Sequence, residues 1–277
     1  MNGFLSKAPR ARRTALYVPA SNPRALEKAR GLDADIVILD LEDAVAAEDK
    51  VRARAAALAG ARDFVGREFV IRVNAADTPW HEDDIGAAIA AQPDAILLPK
   101  LTDGGQVRAT RARTAGIPLW AMIETPRSVF NALQIADAGV ECLVLGVNDL
   151  ISATGGRHRA DRANMHAAMS ATVLAARATG ISALDGVHNA LDDTAGFTRA
   201  CAEARDFGFD GKSVIHPAQL APAKAAFSPS LEEITYARRV LAAFAAAPGK
   251  GVVTLDRRML EALDADIARR TLARAGL

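Results

Sequence analysis

Pro118-Leu119-Trp120-Ala121-Met122-Ile123-Glu124, which stops at Thr125-Pro126, and Cys142-Leu143-Val144-Leu145-Gly146-Val147-Asn148-Asp149 are the two stretches on which the reading of this chain turns. Short apolar runs bounded by Pro and Gly have the length and composition of strands buried on both faces. An acid at the carboxyl end of each is out of place in a core. Two acids at neighbouring strand ends can share one hard divalent cation, because magnesium takes one or two carboxylates and completes its shell with waters and substrate oxygens. One such acid is accounted for as a cap on the following helix. The consecutive pair Glu124 and Asp149 points to a metal site.

Outward from this pair, strand-like and helix-like segments alternate every ~25 to 35 residues, the spacing of βα units. The strands are expected at Ala15–Pro19, Asp35–Leu41, Phe69–Val73, Ala95–Pro99, Leu119–Glu124, Cys142–Val147, Ile181–Leu184 and Lys212–Ile215. Amphipathic helices are expected at Asn22–Arg30, Ala46–Gly60, Glu82–Ala91, Gly105–Ala115, Arg127–Ala138, Arg162–Thr179, Leu191–Phe207 and Gln219–Ala226. Eight parallel strands, each followed by a helix, close into a (β/α)8 TIM barrel whose site lies at the carboxyl ends of the strands. An open doubly wound sheet is the competing arrangement, and the absence of a Gly-rich first turn counts against it. The barrel is assigned to residues 1–230. Residues 231–277 form a C-terminal helical extension, with helices at Leu231 to about Ala247 and at Arg258–Arg274 around an extended Gly251–Thr254. Such an appendage can cap the barrel or reach a neighbouring subunit.

Composition narrows the function classes. The 277 residues are half hydrophobic, enough for a large core, and carry 34 basic and 33 acidic residues for a formal net charge of +1. No global field favours nucleic acid or an anionic membrane. No run approaches transmembrane length, and Met1–Arg13 lacks the apolar centre of a signal peptide and reads as a frayed arm. Cys142 and Cys201 show no paired spacing, consistent with reduced thiols in a cytoplasmic protein. The dinucleotide fingerprint, the P-loop, the Gly-x-Ser-x-Gly elbow and zinc motifs are all absent.

In a barrel, the polar residues at the strand ends share one rim. They are Asp40, Glu42 and Asp43; Arg72 and Asn74; Lys100; Glu124; Asn148 and Asp149; Asp185 and His188; and His216. A magnesium ion on Glu124 and Asp149 would polarise a carbonyl, and Arg72 could take a substrate carboxylate bidentately. A keto acid held through both groups would be stabilised as an enolate, which is the logic of aldol-type chemistry. Asp43 serves equally well as a helix N-cap or as a catalytic group. Lys100 suits a structural pairing with the acids, and His216 before Pro217 suits a backbone-positioning role.

These motifs, taken together, resemble the citrate lyase beta-subunit group of the HpcH/HpaI aldolase superfamily, to which malyl-CoA and citramalyl-CoA lyases also belong. The matching stretches are Arg13–Ala20, Leu39–Val45, Ile71–Asn74, Leu98–Lys100, Met122–Pro126, Gly146–Leu150 and Gly208–Pro217, collinear over almost the whole chain. The resemblance implies a (β/α)8 barrel, a homotrimer or hexamer, and Mg2+ at Glu124 and Asp149. It also implies that Arg72 holds the carboxylate of a keto acid, and that Asp43, beside Glu42, takes the place of a general base or water-binding group. The family commonly has Asp-Gly-Lys-Met-Ile-Asp near its end, whose last acid can complete a neighbour's site. Here the segment is Asp256-Arg257-Arg258-Met259-Leu260-Glu261, which makes Glu261 the corresponding candidate. The expected activity is a magnesium-dependent carbon-carbon lyase that makes or cleaves a 3-hydroxyacyl-CoA of the malyl, citramalyl or citryl type. The alternatives are a malyl-CoA-type thioesterase and a non-catalytic barrel that binds a CoA ester.

Overall fold

The computed structural model describes residues 11–60, 64 and 66–277. Most of the expected Met1–Arg13 arm therefore lies outside the described residues. Eight parallel strands, β1 (Thr14–Pro19), β2 (Ile36–Asp40), β3 (Glu68–Arg72), β4 (Ala95–Leu98), β5 (Leu119–Ile123), β6 (Cys142–Leu145), β7 (Ser182–Asp185) and β8 (Gly211–Val214), pair in sequence order. β8 pairs back onto β1, with Ala15 opposite Ser213, and the barrel is closed. The helices between the strands are α1 (Pro23–Arg30), α2 (Lys50–Gly60), α3 (His81–Ala91), α4 (Gly104–Arg111), α5 (Pro126–Phe130), α6 (Ala132–Asp137), α7 (Val147–Ala153), α8 (His166–Thr179) and α9 (Thr194–Phe207), with α10 (Leu220–Phe227) after β8. No described helix is long and apolar enough to cross a membrane.

The strands are apolar on both faces, as burial between helices and the barrel interior requires. The interior is filled by Ile36, Ile38, Val70, Leu97, Trp120 and Val144, among others. At the amino-terminal end Arg12 lies 4.7 Å over the Trp120 ring and pairs with Glu68 at 2.6 Å.

Two boundaries differ from expectation in a way that matters for the site. β6 stops at Leu145, and Asn148 and Asp149 lie in the first turn of α7 instead of at a strand end. Gly146 turns the chain between them, so Asp149 sits where a helix N-terminus favours negative charge. The expected helix Arg127–Ala138 is interrupted at Asn131, which caps both α5 and α6.

The C-terminal segment corrects a second expectation. The described chain divides into two compact units, Arg12–Lys224 and a second made chiefly of Ala225–Leu277. The second holds α11 (Leu231–Ala245), the antiparallel strands β9 (Val252–Leu255) and β10 (Arg258–Glu261), and α12 (Ala262–Arg274). Arg258–Glu261, expected as the start of a helix, is thus a hairpin strand. Asp256 and Arg257 both take positive φ, 52° and 64°, the two-residue turn geometry that matches the twist of paired strands. The hairpin buries Val253 and Leu260 against Ala237, Val240 and Ala268.

One charged cluster ties β7 to β8 inside the barrel wall. Asp185 is fully buried; its two oxygens meet Lys212 Nζ and Arg162 Nη2, each at 2.5 Å. Lys212 also donates to Gly186 O, and Ser213 Oγ donates to Asp185 O at 2.9 Å. Burial alone would raise the Asp185 pKa, but the two cations and their hydrogen bonds outweigh it and hold it below its ordinary value. A depressed carboxylate pKa contributes stability that is full above the unfolded-state value and is lost as pH falls through the folded-state value. Asp185→Asn is therefore expected to flatten the acid limb of a stability-versus-pH curve. At neutral pH it should cost about 3–5 kcal/mol by leaving Lys212 and Arg162 buried without their anion, measured by denaturant unfolding.

Candidate active site

The carboxyl-terminal mouth of the barrel is a cavity of about 300 Å³, with Tyr17, Asp40, Asp43, Arg72, Met122 and Asp149 among its walls. It is organised from β2 and β3, whose terminal residues Asp40 and Arg72 are register partners. Asp40 accepts from Arg72 Nε at 2.7 Å and Nη2 at 2.5 Å, a two-point pairing of carboxylate and guanidinium. The same carboxylate accepts from the backbone N–H of Glu42 at 2.8 Å and of Ala44 at 3.2 Å, so it also shapes the turn after β2. Lys50 Nζ donates to Leu41 O and Glu42 O at 2.8 and 2.7 Å and secures that turn from behind.

With its Nε–Nη2 edge turned to Asp40, Arg72 turns Nη1 toward the side chains of the mouth. This nitrogen meets Glu42 Oε2 at 2.7 Å, Asp43 Oδ2 at 3.3 Å and Met122 Sδ at 3.7 Å. The guanidinium lies 4.9 Å over the Tyr17 ring. Asp43 does not cap a helix. The next helical turn starts at Ala47 with Ala46 as its cap, and the Asp43 side chain stands half exposed, facing Arg72 and Lys100.

Glu124 follows β5 and is held by a tight turn. Thr125 caps α5, and Ser128 Oγ accepts from the N–H of Glu124 and of Thr125 at 3.1 and 3.0 Å. Glu124 Oε1 accepts the Lys100 backbone N–H at 2.6 Å, where Lys100 takes a left-handed φ of 52°. Glu124 Oε2 is buried and has no hydrogen-bond partner. Gly146 makes this placement possible: a Cβ there would lie 2.3 Å from Glu124 Cβ and 2.6 Å from Oε2.

Lys100 Nζ stands among the acids. It contacts Asp149 Oδ1 directly and lies 3.7 Å from both Glu42 and Asp43 and 3.9 Å from Glu124 Oε1. The structural pairing anticipated for Lys100 is present. Burial disfavours its charge, yet Glu124, Asp149 and Glu42 prevail and push its pKa up. Burial pushes the Glu42 carboxyl up to about 8, against the pull of Arg72, with Glu124 and Asp43 adding to the rise. Glu124 is pushed up to about 7, again mainly by burial, which Lys100 offsets and Asp149 reinforces.

The mouth thus gathers five of the anticipated acids around two cations, and the negative surplus together with the orphaned Glu124 Oε2 suits a divalent cation. Among the described residues no three His, Cys, Asp or Glu side chains converge as a ready metal cage. The pair Glu124 and Asp149 therefore fits magnesium, which keeps open positions for water and substrate, better than a metal enclosed by protein.

Other candidates fall elsewhere. Asp185 belongs to the buried cluster with Lys212 and Arg162, and Asn74 binds Leu41 O and Asp84. His216 Nδ1 accepts from Ala218 N at 3.2 Å, the backbone-positioning role expected of it. His188 Nε2 is buried without a partner, and burial and the nearby Lys212 lower its pKa. Glu261 lies in the C-terminal unit, where its backbone N–H donates to Asp264 Oδ2 at 2.7 Å at the start of α12. Sequence reasoning passed over Tyr17, Met122 and Gly146. The single signal for Tyr17 was a polar-tipped aromatic on the Ala15/Tyr17/Pro19 face of an otherwise aliphatic strand.

Gly146→Ala is expected to displace Glu124 and cost about 1–3 kcal/mol through overpacking. Paired thermal melts and magnesium titrations would show lower stability together with weaker metal binding.

Comparison with known proteins places this geometry in context. A (3S)-malyl-CoA thioesterase of Cereibacter sphaeroides is 46% identical over 268 residues, covering 95% of this chain and 94% of its own. The citrate lyase subunit beta of Escherichia coli K12 is 32% identical over 285 residues, covering 97% and 94%. Among solved structures, CitE of Mycobacterium tuberculosis in complex with magnesium, acetoacetate and coenzyme A aligns with a TM-score of 0.82 at 33% identity, covering 95% of this chain and 98% of that one. The citrate lyase beta subunit of the same organism, complexed with oxaloacetate and magnesium, aligns with a TM-score of 0.69 at 34% identity, covering 79% and 98%. The family described as HpcH/HpaI aldolase/citrate lyase matches residues 13–217, which span the barrel from β1 to the end of β8 and include its whole acidic mouth, and the chain belongs to that family.

Proposed function

We propose that this chain is a magnesium-dependent enzyme acting on a CoA thioester of a hydroxydiacid of the malyl type, and that its reaction is hydrolysis of the thioester. The observation that carries the reading is the mouth itself: Glu124 and Asp149 both approach the Lys100 ammonium, so one cation can meet both, and Asp149 lines the same cavity of about 300 Å³ as Arg72. The 46% identity to malyl-CoA thioesterases, against 32% to citrate lyase beta subunits, favours hydrolysis over carbon-carbon cleavage.

Magnesium held by Glu124 and Asp149 would supply Lewis acidity toward a substrate carbonyl or hydroxyl oxygen. Arg72, fixed by Asp40, offers its Nη1 end and a full charge to the substrate carboxylate. Burial holds the Glu42 carboxyl above its ordinary range, which suits it to exchange a proton with a reacting oxygen, while the half-exposed Asp43 can orient water. In hydrolysis, water adds to the thioester carbonyl, the carbon-sulfur bond breaks and the CoA sulfur takes up a proton. The products are the hydroxydiacid and free CoA.

Carbon-carbon cleavage is the second reading, because the same anchoring of a carboxylate beside a polarised carbonyl serves the lyases of this family. It breaks the bond between the hydroxyl-bearing carbon and the carbon next to the thioester. The hydroxyl proton is released to a base, the enolate carbon next to the thioester takes up a proton, and the products are a 2-oxo acid and an acyl-CoA. Incubation with malyl-CoA and magnesium separates the two: malate plus CoA thiol means hydrolysis, and glyoxylate plus acetyl-CoA means cleavage. Glu124→Gln is expected to lower kcat/KM by at least about a thousandfold and to weaken magnesium binding in calorimetry. Unchanged turnover and unchanged metal affinity in that variant would remove the basis of both readings.

A further inference from the structure

Arg72 turns its Nε–Nη2 edge to Asp40, and Nη1, the nitrogen that faces the mouth, already meets Glu42 and Asp43. A substrate carboxylate arriving there would share Nη1 with those two acids and gain from a further donor. A second donor is already aimed at the same place. The Tyr17 hydroxyl donates to Met122 Sδ at 3.9 Å, and Arg72 Nη1 donates to that same sulfur at 3.7 Å. A thioether is a weak acceptor, so it satisfies the Tyr17 hydroxyl poorly, whereas Arg72 Nη1 also meets Glu42 and Asp43. Tyr17 lines the mouth cavity beside Arg72 and Met122, and its ring is held under the guanidinium at 4.9 Å.

We infer that Tyr17 is a substrate-contacting residue that, together with Arg72 Nη1, forms a two-donor clamp for the carboxylate of a 2-oxo or 2-hydroxy acid. The assignment rests on the proposed function, which puts that carboxylate in this cavity. On binding, the carboxylate replaces Met122 Sδ as the shared acceptor. The hydroxyl then makes a charge-assisted hydrogen bond, and Arg72 keeps its contacts to Asp40. Burial, more than the opposing Arg72 charge, raises the phenol pKa, so the hydroxyl remains a neutral donor through the physiological range.

Tyr17→Phe keeps the ring over Arg72 and removes only the hydroxyl. Calorimetric titration of the magnesium-loaded protein with pyruvate and with malate is expected to show ~10- to 100-fold weaker binding in the variant, with no fall in melting temperature. A second readout does not depend on that variant folding. The chain has two tyrosines, Tyr17 and Tyr236. With tyrosine isotopically labelled at Cζ, pyruvate should shift the phenol signal that persists in Tyr236→Phe. If wild type binds pyruvate or malate while Tyr17→Phe binds equally well, or the Tyr17 signal stays put at saturation, the clamp is overturned and the proposed function stands. If the magnesium-loaded wild type binds neither acid yet releases CoA from malyl-CoA, the clamp falls and the proposed function stands; if it does neither, both fall.

Discussion

Arg72 is a buried cation, and a buried cation persists only where anions and acceptors replace the water it has lost. Asp40, its register partner on the next strand, does this from two directions and binds the turn after β2 at the same time. The placement of Glu42 and Asp43, the direction of Arg72 Nη1 and the Tyr17 ring beneath the guanidinium all depend on this one pair. Removing Asp40 would leave a desolvated guanidinium against Tyr17 and release the turn that carries two further acids. Asp40 therefore fixes Arg72 at the mouth while its own oxygens are engaged by the guanidinium and the turn.

The opposite side of the mouth is built by crowding acids. Glu124 is pressed against Gly146, Lys100 adopts a left-handed backbone to donate its N–H to that carboxylate, and the Lys100 ammonium stands among four carboxylates. Both arrangements are costly in isolation, one in steric room and one in backbone conformation. They are tolerated where the surrounding barrel determines them, and they leave a surplus of negative charge where a hard cation can balance it. The mouth thus crowds carboxylates around Lys100 near Glu124 and Asp149, and pairs Arg72 with Asp40 over the Tyr17 ring.

Much of this was legible from the chain. The eight strands fall where apolar runs bounded by Pro and Gly put them, and of the polar residues after those runs Asp40, Glu42, Asp43, Arg72, Lys100, Glu124 and Asp149 meet at the mouth, while Asn74, Asp185 and His216 bind elsewhere. Asp149 was found by its place after an apolar run, although the run ends four residues earlier and the acid lies on α7. The strand pattern cannot distinguish a continuing strand from a first helical turn after Gly146. Arg258–Glu261 was misread because Asp256-Arg257 is an uncommon pair for a two-residue hairpin turn, and positive φ at non-glycine residues leaves no compositional mark.

The sequence by itself determined the alternation of elements, the apolar interior, the family motifs and the set of charged residues at the strand ends, because each is encoded within a few neighbouring positions. The tertiary structure decided which of those charges are occupied and which are free. Asp40 occupies two donors of Arg72, Asp185 is enclosed by Lys212 and Arg162, and Lys100 stands between Asp149 and Glu124. Tyr17 and Arg72 meet on Met122 only when β1, β3 and β5 are curved into one wall. Such contacts join residues tens of positions apart, and their geometry is set by barrel closure and burial, which no local pattern records.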